Sequence, residues 1–155
     1  MNKIELLAPA GNLEKAKLAL IYGADAVYVG GKKFSLRARA SNFDVCDIEE
    51  LCKFAHSLSK KVYVTMNILP HDEDFDGLEE YILNLANAKV DAIITSSLHI
   101  VRTAKKLAPN MECHISTQMS ITNSNTISYY KEEDIDRVVL AREVTLNELK
   151  QIMPN

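Results

Sequence analysis

The sequence predicts an α/β fold: a parallel (β/α) barrel-like arrangement of six βα units, an incomplete TIM-type barrel spanning residues 1–155. Three observations predict it. Short runs rich in Val, Ile and Tyr alternate with amphipathic stretches of helical period, the pattern of parallel βαβ units with right-handed crossovers. An Asp stands immediately before the apolar run in GADAVYV from Gly23, KVDAIIT from Lys89 and DIDRVVL from Asp134, which reads as a repeated helix–turn–strand junction. Six runs are present where a closed barrel has eight strands and typically ~250 residues. The chain therefore reads as the N-terminal portion of a longer barrel domain.

The elements follow in order. Strands are expected at 4–8 (IELLA), 26–29 (AVYV), 62–66 (VYVTM), 92–95 (AIIT), 111–115 (MECHI) and 137–140 (RVVL), each with the length and β-branched content of a buried strand. Between them, Leu13, Ala16, Leu20 and Ile21 share one helix face. So do Ile48, Leu51, Cys52, Ala55 and Leu58, and then Leu78, Ile82, Leu85 and Ala86. Thr145 and Glu148 form a T-x-x-E capping box for a last helix that ends before Pro154. With two strands of a barrel missing, the first and sixth strands present open edges, and self-association into a homo-oligomer is expected.

Composition excludes several classes. With 47% apolar and 25% charged residues and a net charge of −3, the chain has the balance of a globular protein and no global basic footprint for nucleic acid. No apolar run approaches the ~18 residues that cross a bilayer, so no membrane partner is expected. Leu7-Ala8-Pro9-Ala10 imitates a leader cleavage site, but Glu5 interrupts the apolar stretch that a leader needs. Three cysteines without dense spacing suit a reducing cytoplasm.

In a parallel barrel, chemistry sits where the strands end at their C-termini. That rim collects Gly30, Gly31, Lys32 and Lys33, then Arg37, Arg39, Asn42 and Phe43, then Asn67 and His71, Ser96 and Ser97, Ser116-Thr117-Gln118, and Arg142-Glu143. Alternation turns Val62, Val64 and Met66 toward the helices and Tyr63, Thr65, Asn67 and His114 toward the axis. The candidate catalytic residues are His71 and His114. The substrate-binding candidates are Arg37, Arg39, Asn42, Asn67, Gln118 and Arg142, because guanidinium forks grip carboxylates and phosphates in bidentate fashion.

Three motifs fail on chemistry. Asp72, Asp74, Asp76 and Gly77 open like a calcium loop, yet the twelfth position is Leu83 and the preceding segment is a strand. Cys46 and Cys52 match no zinc or redox spacing, and no metal ligand is assigned. Gly30-Gly31 lacks the G-x-G-x-x-G of a dinucleotide site.

ELLAPAGN (5–12), YGADAVYVGGKKFSLRARASNF (22–43), KKVYVTMN (60–67), HISTQ (114–118) and VVLARE (138–143) strongly resemble the N-terminal part of the collagenase-like peptidases, family U32. The resemblance covers essentially the whole chain. It implies a barrel catalytic domain continuing past Asn155 and two kinds of relative: collagen-degrading peptidases, and oxygen-independent hydroxylation proteins acting on a tRNA wobble uridine, on ribosomal RNA or on a quinone precursor. The tRNA enzymes are thought to use prephenate as hydroxyl donor and a four-iron iron–sulfur cluster, whose cysteine signature lies downstream. None of the three cysteines here matches it, so no cofactor is expected within this stretch and a cluster is expected in the parent. Ser96-Ser97 also replaces the Ser-Asp of many relatives. The expectation that follows is a parent that hydroxylates tRNA uridine, with prephenate and tRNA as its partners. The alternatives are a peptidase, or a fragment inactive by itself.

Overall fold

Six parallel strands hydrogen-bond in chain order, β1 through β6, and curl into a half-barrel with helices on its outer side. The structure, a computed structural model, describes residues 4–36 and 43–153. The units are β1 (Leu7–Pro9) and α1 (Leu13–Ile21), β2 (Ala26–Gly30) and α2 (Val45–Ser57), β3 (Lys61–Met66) and α3 (Leu78–Asn87). They continue with β4 (Ala92–Thr95) and α4 (Leu98–Leu107), β5 (Glu112–Ile115) and α5 (Ser124–Glu132), β6 (Arg137–Val138) and α6 (Leu146–Ile152). The six expected units are present. The outer strands are shorter and shifted relative to the sequence reading: Ile4 is 91% exposed, ahead of β1. β6 has two residues, although the Val139 N–H still reaches the Ile115 carbonyl at 2.9 Å.

Local chemistry starts each helix. Asn12, Ser97, Asn123 and Thr145 cap α1, α4, α5 and α6 through their side chains. Asp44 and Asp47 close a capping box on α2, and Thr145 with Glu148 forms the box that the sequence predicted. The helix α3 differs: its cap is Gly77, at φ 76°, with no side chain to offer. Just before it, the acidic run folds into a 3₁₀ turn, Asp72–Phe75, in which Asp74 accepts the His71 N–H at 2.8 Å.

The alternation places two layers on the sheet. Val27, Val29, Val62, Val64, Met66, Ile93, Cys113 and Ile115 face the helices and join the main core. Ala26, Tyr63, Ala92 and Ile94 form a second cluster on the inner face, with Leu7 and Tyr28 against it. A one-residue slip of any strand would exchange the layers.

The Asp junctions explain the register. Asp25, Asp91 and Asp136 each accept an N–H within one residue of the start of the preceding strand: Leu6 at 3.1 Å, Val62 at 2.7 Å and Cys113 at 2.7 Å. Each carboxylate also meets a cationic or imidazole nitrogen, from Lys60 at 2.9 Å, His56 at 3.0 Å and Lys105 at 2.7 Å. Two residues earlier, Gly23, Lys89 and Asp134 adopt positive φ and end the helix. The clamp recurs on every second strand, so the half-barrel is three copies of a two-unit module. The junction Asp residues are structural.

Candidate functional site

The C-terminal ends of the strands open onto a cavity of about 210 Å³ on the inner face. Leu7, Tyr28, Ile94 and Val139 make its apolar walls, and Thr65, Asn67, Ser116 and Thr117 supply its polar atoms. No lining residue among those described is charged. The inward parity of β3 delivers Thr65 and Asn67; Ser116 and Thr117 arrive where β5 ends.

Three of these four polar groups are held. The Thr65 hydroxyl donates to the Val29 carbonyl at 3.3 Å and lies 2.9 Å from the Ser35 hydroxyl, both buried. The Asn67 carbonyl oxygen accepts the Leu36 N–H at 3.4 Å. Ser116 Oγ caps the turn Thr117–Met119 and lies 3.4 Å from Gln118 Oε1. Ser96 donates to the Ile68 carbonyl at 3.4 Å, and Ser97 caps α4. The Ser96-Ser97 pair thus builds the turn behind the cavity.

The expected site residues separate accordingly. Asn67 lines the cavity, and Gln118 adjoins it through Ser116. His71 and Arg142 are exposed, on the connections that leave β3 and β6 at this same end. Arg37, Arg39 and Asn42 lie outside the described residues. The segment that leads to them is anchored by Ser35 and Leu36 on one side and by the Gly31–Phe43 bridge on the other.

His114 sits elsewhere. It is 1% exposed on the inner face, the third of four residues in β5 and outside the cavity lining, with Nε2 2.8 Å from Glu112 Oε2. Its ring meets Tyr63 edge-on at 4.8 Å between centroids. Burial pushes its pKa down while Glu112 pulls the other way, and the net direction is down; the imidazole is neutral at pH 7. Around it stands a cluster that sequence reasoning missed. The Tyr63 hydroxyl donates to Glu5 at 3.0 Å, and the Arg137 guanidinium grips the same carboxylate at 2.5 and 3.4 Å, spanning the half-barrel from β6 to β1. The Arg137 bond chiefly holds the Glu5 carboxyl below its ordinary range. The inward parity that assigns Glu112 to the face of His114 also assigns Arg137 there, which was the available signal. These groups satisfy one another.

A metal or cluster ligand set is not formed. Among the described residues no three His, Cys, Asp or Glu side chains group as a metal would require. Burial pushes the Cys52 thiol up to about 12 and Cys113 to about 11, so neither offers the thiolate that iron–sulfur ligation needs. Both face the helix-side core, and an iron–sulfur cluster does not fit these cysteines.

The family model for peptidase family U32 matches residues 11–155. The chain belongs to peptidase family U32. It is 49% identical over 150 residues to the tRNA hydroxylation protein P1 of Bacillus subtilis, covering 97% of this chain and 36% of that protein. Against the tRNA hydroxylation protein P of Helicobacter pylori, identity is 43% over 159 residues, the whole of this chain and 38% of that protein. A collagenase of Porphyromonas gingivalis is 33% identical, over 98% of this chain and 36% of its own length. This U32 chain thus spans little more than a third of the curated relatives it matches. Among solved structures, a U32 peptidase superposes with TM-score 0.70 at 10% identity, covering 89% of this chain and 58% of that one. A 3-hexulose-6-phosphate synthase from Salmonella typhimurium reaches 0.68 at 21%, covering 96% and 71%. Both share its barrel topology.

Proposed function

We propose that this U32 chain forms part of an RNA hydroxylation protein and that the cavity at the barrel mouth receives a pyrimidine base of tRNA, a uridine. The lining, uncharged among the described residues, carries the reading. A base presents amide-like donors and acceptors on a flat apolar body, and Asn67, Thr65, Ser116 and Thr117 between Leu7, Tyr28, Ile94 and Val139 match that character. Enzymes that act on a base must isolate it from its stack in such a pocket. Prephenate, a dicarboxylate and the hydroxyl donor, is assigned to Arg37, Arg39 and Arg142. The iron–sulfur cluster of the parent belongs to residues other than the three cysteines present here. The tRNA substrate fits a cytoplasmic protein, and among the described residues no helix is long and apolar enough to cross a membrane.

The collagenase relative supports a peptidase as the second reading. Its chemistry is less well served. Ser116 is engaged by Gln118 rather than by an imidazole, and His114 is committed to Glu112, so no base addresses a nucleophile among the described residues. A binding measurement separates the two. Titration with a short oligouridylate should quench or shift signals of Asn67, Ser116 and Thr117, and Asn67→Ala should weaken binding about tenfold, the worth of one or two lost hydrogen bonds. Binding of collagen peptides at these residues, with no response to RNA, would favour the peptidase.

A further inference from the structure

Most side-chain polar atoms of the barrel-mouth cavity are already committed. The Thr65 hydroxyl is bonded to the Val29 carbonyl and to Ser35, and Ser116 Oγ is bonded to Gln118, whose N–H it accepts at 3.4 Å. Two groups of the lining keep no partner among the described residues: the amide nitrogen of Asn67 and the hydroxyl of Thr117. We infer that Asn67 is the specificity-determining residue of this mouth: it reads the substituent at ring position 4 of an entering pyrimidine, admitting a carbonyl and refusing an amino group. The inference rests on the RNA reading above and adds to it the group that tells uridine from cytidine.

The orientation of the amide decides the matter. Leu36 presents a backbone N–H, which can only donate, so the side-chain oxygen of Asn67 faces it, at 3.4 Å. An amide turned end for end would set its NH₂ group against that N–H and lose the bond. With the oxygen held at Leu36, the end left for a ligand is the nitrogen with its two N–H donors. Thr117 does not discriminate in this way. It is exposed, and its hydroxyl donates or accepts as it rotates.

The chemistry of the bases does the rest. Uracil carries a carbonyl at position 4, an acceptor, where cytosine carries an amino group, a donor. Both carry a carbonyl at position 2, so that position separates nothing. Ring atom N1 bears the ribose, which stays with the strand outside the half-barrel. C4 lies across the ring from N1, so the position-4 group leads the base into the cavity. There the uracil oxygen accepts from the Asn67 nitrogen. The cytosine amino group meets it donor against donor and leaves both unpaired, and a site that strands its own polar group on the wrong ligand rejects that ligand.

Amide-resolved NMR of the protein tests this with an oligouridylate and an oligocytidylate of equal short length, read at the Ser116 and Thr117 amides. Wild type is expected to bind the oligouridylate about tenfold more tightly, the worth of one hydrogen bond replaced by two opposed donors. Asn67→Ala should bring the two affinities together. Asn67→Asp puts acceptors where the donors were, and should turn the ratio toward the oligocytidylate; its added negative charge weakens both oligomers alike and drops out of the ratio. A residue that merely supported the loop would weaken both oligomers and leave the ratio unchanged. Equal binding of the two oligomers by wild type, or a uridine preference that survives in Asn67→Ala and Asn67→Asp, overturns the inference while the cavity remains a base site. If neither oligomer shifts Ser116 or Thr117, the base reading falls and the inference falls with it.

Discussion

Gly31→Ala tests the packing between the second βα connection and α3. A Cβ built at Gly31 would meet the Tyr81 hydroxyl oxygen at 1.9 Å and Tyr81 Cζ at 3.2 Å. Ordinary contact begins at about 3.4 Å, so the overlap with the oxygen is about 1.5 Å. Tyr81 cannot simply swing aside, because it is buried and its ring packs against Phe34 at 5.5 Å between centroids. Overpacking of this kind costs about 1–3 kcal/mol, which lowers a urea midpoint by on the order of 1 M. Tyr81→Phe removes the oxygen and leaves Cζ as the closest atom, an overlap of only about 0.2 Å. In that background Gly31→Ala should cost under about 1 kcal/mol, giving a coupling on the order of 1–2 kcal/mol in the double-mutant cycle. Tyr81→Phe alone should be neutral or stabilising, since it deletes an unpartnered buried hydroxyl. Urea unfolding of the four proteins measures all of this. A Gly31→Ala midpoint equal to wild type, or the same loss with Phe as with Tyr at position 81, refutes the reasoning.

Three further outcomes follow from the geometry. Asp136→Asn weakens the bonds to the Cys113 N–H and to Lys105, and should lower stability at pH 7 by about 1–2 kcal/mol. Although burial acts to raise the Asp136 pKa, its partners hold it below the ordinary value. Its contribution is therefore fully present above the unfolded carboxylate range and lost as pH falls from there through the lower folded value, so the gap between wild type and Asp136→Asn should narrow in acid; a constant gap down to pH 3 would contradict this. His114 has a folded pKa depressed mainly by burial, so stability should fall as pH drops below about 6.5, the unfolded histidine value. His114→Gln should remove that step from a pH series of melting curves, and a step that persists would place its origin elsewhere. Finally, among the described residues β1 pairs only with β2 and β6 only with β5, and open edges invite pairing. Sedimentation equilibrium at tens of micromolar should detect a dimer or larger species, and a clean monomer would argue that the edges are covered.

Periodicity made the fold legible. The period-2 pattern of KVYVTMN and MECHIS correctly assigned Val64 and Met66 to the helices and Tyr63, Thr65 and His114 to the axis, because one face of a strand must meet the core. The ends were harder to read: IELLA is apolar apart from Glu5, yet Ile4 and Leu6 are exposed, since pairing of β1 begins only at Leu7 opposite Ala26. The place of Asn67 at the mouth was legible because it follows a strand whose parity is clear. Tyr28 and Val139 were not, because apolar walls carry no chemical signature in sequence. His114 shows the opposite limit. A histidine facing the axis reads as a candidate base, but its depth along the strand and its pairing with Glu112 depend on packing. The Glu5–Arg137 pair joins residues 132 positions apart, and no local pattern announces such a contact.

The role proposed for the cavity at the barrel mouth is RNA hydroxylation. The direct measurement is mass spectrometry of nucleosides from total tRNA, in cells lacking the gene that encodes this chain and in cells complemented at full length with wild type or Asn67→Ala. The account predicts that hydroxylated uridine disappears on deletion, returns with wild type, and returns at under about a tenth of that level with Asn67→Ala, whose protein accumulates normally. Unchanged hydroxylated uridine after deletion, or full restoration by Asn67→Ala, would contradict it.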